Sequence, residues 1–266
     1  MKFNFRKSTC PQRIGFVVDH PKRDLPGGVM LANVLAQRGF ETALIPMYDQ
    51  AVDVPLLGLD ALVINYARPA NINLVRRFAT AGTPVWVLDT EGGVLAENGG
   101  NTPCRMAAYV RDSGWAELLA GYLFWGSTLH AAFLEHSGMP YTALHITGCP
   151  RFDWAAPRWR ELLNSNCQPY TLVNANFPLV NPLFGISPEA ELETMTAAGW
   201  DRDYVARAIA DSRVIQKEFL TTVSGLARSH RERRFLVRPH PFENPDYYRK
   251  AFAGLPNVDV DCRGSV

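Results

Sequence analysis

No sign of charge dominates this 266-residue sequence: 27 Lys and Arg stand against 26 Asp and Glu, a formal net charge of +1. A protein that grips nucleic acid through its overall field needs a basic excess, so no nucleic-acid partner is expected. Cysteine is sparse. Cys10, Cys104, Cys149, Cys167 and Cys262 are scattered, form no CxxC pair and show no metal-ligand spacing. That favours reduced thiols in the cytoplasm over a disulfide framework. The opening "MKFNFRKSTCPQR" has no apolar core of the kind a signal peptide needs. A membrane span is absent too. The segment that invites one, "AELLAGYLFWGSTLHAAFLEH" (116–136), holds Glu117, His130, Glu135 and two glycines, whereas a spanning helix needs about 20 predominantly apolar residues. It reads as a buried strand followed by a helix, and peripheral attachment to the inner face of the membrane stays open. No GxGxxG, Walker loop, HExxH, Ser-His-Asp elbow, internal repeat or low-complexity tract is present, so those chemistries have no support.

What is there is an alternation of apolar runs and helical patterns. "RIGFVVD" (13–19), "TALIP" (42–46), "ALVINY" (61–66), "PVWVLD" (84–89), "YLFWGS" (122–127) and "ALHITG" (143–148) read as strands. Helices are expected at 27–39, 71–82 and 128–138, the first two with Gly39 and Gly82 as stops. Continuous apolar strands between such helices imply a parallel sheet covered on both faces, a doubly wound α/β domain. "CPRFDWAAPRW" breaks the rhythm. A second α/β series follows: "YTLVNANF" (170–177), a long helical region at 201–229, "RFLVRP" (234–239), a helix near 245–254 and "NVDVD" (257–261). Two Rossmann-like domains, 1–150 and 151–266, are expected. Three strands and the ending "CRGSV" lead us to expect that the second is cut short, or that it closes its edge by dimerising.

In open α/β sheets ligands lie beyond the carboxyl ends of the strands, so polar residues just after apolar runs are the candidates. After the first strand come Asp19, His20, Lys22, Arg23, Asp24, Gly27 and Gly28, where paired glycines at a helix start would let a ligand approach backbone N–H groups. The same residues also suit a solvated turn with a helix cap. "LDTEGG" offers Asp89 and Glu91 beside Gly92 and Gly93, carboxylates placed to take a proton from a hydroxyl. In "TGCPRFD", Arg151 and Asp153 either face a ligand or pair with each other across a turn. "VNANFPLVNP" supplies Asn174, Asn176 and Asn181, amides that suit sugar or phosphate oxygens and equally suit local turns. In "FLVRPHPFENP", Arg238 offers a planar cationic fork for phosphate and His240 a further donor, with Pro239 and Pro241 fixing the backbone. An Arg238–Glu243 pair is the purely structural reading.

These motifs carry a resemblance. "RPHPFE" resembles the HP motif of bacterial CMP-sugar-dependent glycosyltransferases, the sialyltransferases and Kdo transferases of capsule and lipopolysaccharide assembly. "DTEGG" resembles their acidic motif, with Thr90 intervening between the two acids. "TGCPRFD" and "VNANFPLVN" resemble bacterial surface carbohydrate biosynthesis proteins, and that similarity runs from "VVDHPKRDL" to "RPHPFE". The resemblance implies a GT-B fold, two Rossmann-like domains facing a cleft, with the acceptor on the first and the nucleotide sugar on the second. It implies a cytoplasmic, metal-independent glycosyltransferase with no cofactor, using a CMP-activated sugar such as Kdo or another 2-ketosugar acid as donor and a surface glycan as acceptor.

On that reading Glu91 is the base, with Asp89 and Asp153 as further carboxylates. Arg238, His240, Pro241, Glu243, Asn174, Asn176 and Arg151 hold the donor, and His240 also offsets charge on the leaving cytidylate. Asp19, Arg23, Asp24, Gly27, Gly28 and Gly92 line the acceptor side. The rivals are transfer of glycerol or ribitol phosphate from a CDP donor and a non-catalytic nucleotide- or glycan-binding module. Acceptor, linkage, retention or inversion, and homo-oligomerisation stay open.

Overall fold

The structure, a computed structural model, describes residues 11–90, 102–159, 169–184, 187–197 and 199–262. The chain divides into two compact units between residues 164 and 165, so the segment that follows the sixth strand belongs to the first unit. No helix among the described residues is long and apolar enough to cross a membrane.

The first unit runs β1 (Arg13–Val18), α1 (Leu25–Ala36), β2 (Glu41–Pro46), α2 (Gln50–Leu57), β3 (Ala61–Ile64), α3 (Ile72–Thr80) and β4 (Val85–Leu88). It continues through α4 (Thr102–Asp112), α5 (Trp115–Leu118), β5 (Leu119–Phe124), α6 (Ser127–His136), β6 (Leu144–Ile146) and the single turn α7 (Pro150–Asp153). The expected strands are present. β5 begins three residues earlier than the apolar pattern suggests, because Gly121 is a strand residue. A Cβ there would stand 2.1 Å from Cζ3 of Trp86, so the glycine lets the indole lie across the sheet. Gly39 and Gly82 follow α1 and α3 with φ of +86° and +89°, a backbone region that favours glycine.

The strands pair in the order β2-β1-β3-β4-β5-β6, all parallel. Strand order reverses at β1, so the crevice beyond β1 and β3 is the topological switch point where such sheets bind ligands. The two faces of the sheet differ. Leu62, Ile64, Val85, Val87, Tyr122 and Phe124 are buried in one core with Val75, Trp115 and Phe133. Ile14, Val63, Trp86, Leu88 and Leu123, on alternate positions, are only half-buried and line an opening of about 350 Å³ beside Leu31 and Leu35 of α1.

The second unit runs β7 (Tyr170–Asn174), α8 (Pro188–Ala197), α9 (Arg202–Ser229), β8 (Arg234–Arg238), α10 (Pro245–Ala251) and β9 (Val258–Val260). Its strands pair in parallel in the order β7-β8-β9, with β8 central. Val237, Val223, Tyr248, Phe252 and Ala175 form a separate core. α9 begins on a side-chain cap, Asp201 accepting the Tyr204 N–H at 2.7 Å, and α10 on Asn244 accepting the Asp246 N–H at 3.0 Å.

Candidate functional site

The switch point of the first sheet gathers its polar residues round one buried carboxylate. Asp89, just beyond β4, is 3% exposed and accepts the Tyr122 hydroxyl at 3.1 Å. It forms part of the wall of two cavities. The tighter, about 60 Å³, is lined by Asp24, Gly27, Gly28, Asn65, Asp89, Thr90, Cys149 and Arg151 along with apolar strand residues. The wider, about 610 Å³, lies against α4 and is lined by Asp89, Tyr122, Arg68, Arg105, Tyr109 and Phe133 among others. Only the wider has room for a sugar ring. Burial raises the Tyr122 pKa well above the usual tyrosine value; the Asp89 charge adds to the rise and Arg68 opposes it. The phenol therefore stays protonated, a hydrogen-bond donor to the carboxylate.

Asn65 ends β3 and knits the crevice together. With its amide turned so that both ends are satisfied, it donates to Val17 O and accepts from Asp19 N–H, each at 3.0 Å, while its own carbonyl accepts the Thr90 N–H at 2.9 Å. Asn65, Tyr122 and Arg68 were missed from the sequence. Asn65 follows an apolar run, the signal applied at five other strand ends. Tyr122 was hidden inside an apolar run.

The loop after β1 is built as a tie. Arg23 donates to Asp19 at 2.5 Å, to Asp24 at 2.7 and 2.9 Å, and to Thr90 at 3.4 Å. The hydrogen bond that Arg23 donates to Asp24 chiefly, opposed by burial and helped by the charges of Asp24 and Asp19, raises the Arg23 pKa. Arg23 is thus matched by two carboxylates, and its geometry is that of a brace between β1 and β4. Gly27 and Gly28 have a packing reason. A Cβ at Gly27 would stand 3.0 Å from Arg151 N and 3.2 Å from Pro150 C, and one at Gly28 would stand 3.3 Å from Leu44. The close approach expected of a ligand is made by the chain itself. Cys149, in the same wall, has its thiol pKa pushed up by burial, so it stays a thiol.

Arg151 stacks on Trp125, with Cζ 5.3 Å from the ring centroid, and on Phe152 at 4.8 Å. Asp153 is exposed on α7. The structure brings Asp24, Gly27, Gly28, Asp89 and Arg151 to one cavity, with Asp19 and Arg23 adjoining through the brace. Glu91 and Gly92 lie outside the described residues.

The remaining sequence-derived candidates sit in the second unit. Asn174 and Arg238 are register partners at the carboxyl ends of β7 and β8. Asn174 and Asn176 are exposed, while Arg238, His240 and Pro241 are half-buried. Glu243 is 2% exposed. It accepts the His240 N–H at 2.7 Å and a short bond from the Tyr248 hydroxyl. The Tyr248 pKa is raised by burial and by Glu243. Asn181 donates to Asn244 O and accepts the Asn244 N–H, each at 3.0 Å. Glu243 is therefore an internal strut of the His240 loop. Among the described residues no group of three or more His, Cys, Asp or Glu is placed to hold a metal.

No protein-family model matches the chain, and no curated protein matches it. Solved structures do. UDP-GlcNAc 2-epimerase from Neisseria meningitidis bound to UDP-GlcNAc is matched over 96% of this chain and 73% of its own, with 10% identity and a TM-score of 0.51. The MnaA–UDP co-structure from S. aureus is matched over 96% and 69%, with 10% identity and a TM-score of 0.56.

The fold is of the GT-B-like kind, built from two Rossmann-type units. One expectation is corrected. The sequence reading assigned transfer of a CMP-activated sugar to a glycan, with transfer from a CDP donor or simple binding as rivals. Two solved structures that share the fold over nearly the whole chain are a UDP-GlcNAc 2-epimerase and a UDP complex, and neither is a CMP-sugar transferase. The short motifs misled because an Arg and a His after a strand suit any nucleotide phosphate.

Proposed function

We propose that the protein is an enzyme that epimerises the sugar of a nucleotide sugar of the UDP-GlcNAc class. The observation that carries this reading is Asp89: a buried carboxylate, hydrogen-bonded to a protonated phenol, in the wall of a cavity of about 610 Å³ at the carboxyl edge of a parallel sheet. Inversion at C2 by proton transfer takes the C2 proton as the C1–O bond to UDP breaks, so that the C–H pair becomes a C1=C2 double bond and UDP leaves with the C1–O pair. Re-forming C1–O as a proton returns to the other face of C2 completes the exchange. It needs a carboxylate to take the proton and donors to steady the charge that develops. Asp89 is assigned the proton transfer, Tyr122 holds and orients it, and Arg68 and Arg105 supply positive charge in the same wall. Arg238 and His240 of the second unit are assigned a phosphate oxygen, since the guanidinium fork and the imidazole N–H are both suited to it. The likeness of the fold to a UDP-GlcNAc epimerase and a UDP complex supports the choice of substrate class.

The test is proton NMR of UDP-GlcNAc incubated with the full chain. The reading expects a second anomeric signal, from the epimer, at a rate that Asp89→Asn lowers roughly 10²- to 10⁴-fold. No epimer from the wild-type chain, with UDP failing to bind in calorimetry, would overturn it.

A further inference from the structure

The turn that presents His240 occurs twice. β8 ends at Arg238 and His240 stands two residues on, followed by Pro241, with α10 starting five residues after the histidine at Pro245. β1 ends at Val18 and His20 stands two residues on, followed by Pro21, with α1 starting five residues after it at Leu25. The hydrogen bonds repeat with the spacing. Each ring Nδ1 accepts the N–H of the second residue along, Lys22 for His20 and Phe242 for His240, both at 3.2 Å. Each histidine N–H donates to a downstream carboxylate, Asp24 at 3.0 Å and Glu243 at 2.7 Å. Each histidine carbonyl accepts the N–H of that same acid, at 2.8 Å for Asp24 and 2.9 Å for Glu243. The longer Glu side chain sits one residue nearer the histidine than Asp does, which compensates for its extra methylene.

This arrangement decides the tautomer. A neutral imidazole has one donor nitrogen and one acceptor, and an Nδ1 that accepts a backbone N–H leaves the proton on Nε2. Both rings are therefore oriented as Nε2–H donors, each half-exposed beyond the carboxyl end of a strand with neighbours on both sides, where α/β sheets bind ligands. In the first unit the acid that locks the ring, Asp24, also lines the cavity that Asp89 shares.

We infer that His20 is a second ligand-binding histidine, held by the same device as His240 and donating from Nε2 to an oxygen of the nucleotide sugar. This rests on the nucleotide-sugar reading above. Asp24 is its positioning residue.

The experiment is a two-bond ¹H–¹⁵N correlation spectrum of the ¹⁵N-histidine-labelled full chain, alone, with UDP and with UDP-GlcNAc. The expected result is the Nε2–H pattern for both rings, a shift of the His20 Nε2 signal on adding UDP-GlcNAc, and loss of the His20 pattern alone in Asp24→Ala. His20→Ala is expected to raise the KM for UDP-GlcNAc roughly five- to tenfold, the worth of one neutral hydrogen bond. A His20 signal that moves with UDP as well assigns the oxygen to phosphate, and one that moves with UDP-GlcNAc alone assigns it to the sugar. UDP-GlcNAc that binds and shifts other signals while His20 Nε2 stays fixed overturns this inference and spares the proposed function. No binding of either ligand overturns both.

Discussion

Two turns of one design are braced in two different ways, and the residue eight positions past each histidine makes the difference. In the second unit that residue is Tyr248, whose hydroxyl reaches back to Glu243. In the first it is Gly28, which has no side chain to send back and instead lets α1 pack under Leu44. Asp24 is consequently held by a cation, Arg23, which it shares with Asp19, while Glu243 is held by neutral donors. Each solution suits its place. A charge that lines a cavity is matched by a guanidinium that still adjoins solvent, whereas a charge sealed in a core is satisfied by a hydroxyl and an amide. The comparison separates the turn, which is common to both units, from the cavity that the described residues of the first unit form beside it.

That account can be broken in order of expected effect. Glu243→Ala should be the most damaging change, because it leaves the His240 N–H and the Tyr248 hydroxyl without their acceptor and opens a hole. We expect a loss of about 3 kcal/mol, read from the urea midpoint at unchanged slope. Asp24→Ala should cost less, about 1 kcal/mol, since Arg23 keeps Asp19 and the site adjoins water. Equal losses at the two acids would mean that the braces do not differ. Gly27→Ala should cost a similar amount to Asp24→Ala by forcing α1 away from Pro150–Arg151. The matching position in the second unit is the exposed Tyr247, where substitution should be within about 0.5 kcal/mol of neutral.

Smallest near neutrality is the pH term. Tyr122 and Tyr248 both have folded pKa values raised by burial. The stability they contribute is fully present below the unfolded tyrosine pKa of about 10 and is lost as the pH rises above it. Urea midpoints should therefore hold steady to about pH 10 and fall beyond it, and Tyr122→Phe should soften the fall.

The strands were legible because buried parallel strands are continuous apolar runs, and β1, β3, β4 and β8 carry that signal undiluted. α2 was not, since Pro55 sits inside it and Val-rich "QAVDVPLL" has no helical stripe. Of the site, Asp89 and the β1 loop were legible from their place after strands. Their jobs were not. Whether a glycine admits a ligand or a neighbouring part of the chain depends on what folding brings up to it, Leu44 at Gly28 and Pro150–Arg151 at Gly27, whereas Arg23 meets its two carboxylates, Asp19 and Asp24, within its own loop. Asn65 could have been read by the rule already in use. The nucleotide could not be chosen, because an Arg and a His after a strand suit a phosphate oxygen of any nucleotide sugar.

The most direct measurement is the split between kcat and KM for deuterium exchange at the sugar carbon of UDP-GlcNAc in D₂O, comparing Asp89→Asn with Arg238→Ala. The account predicts that the first collapses kcat with KM within a few-fold, and that the second raises KM. An Asp89→Asn protein that exchanges at the wild-type kcat would contradict it.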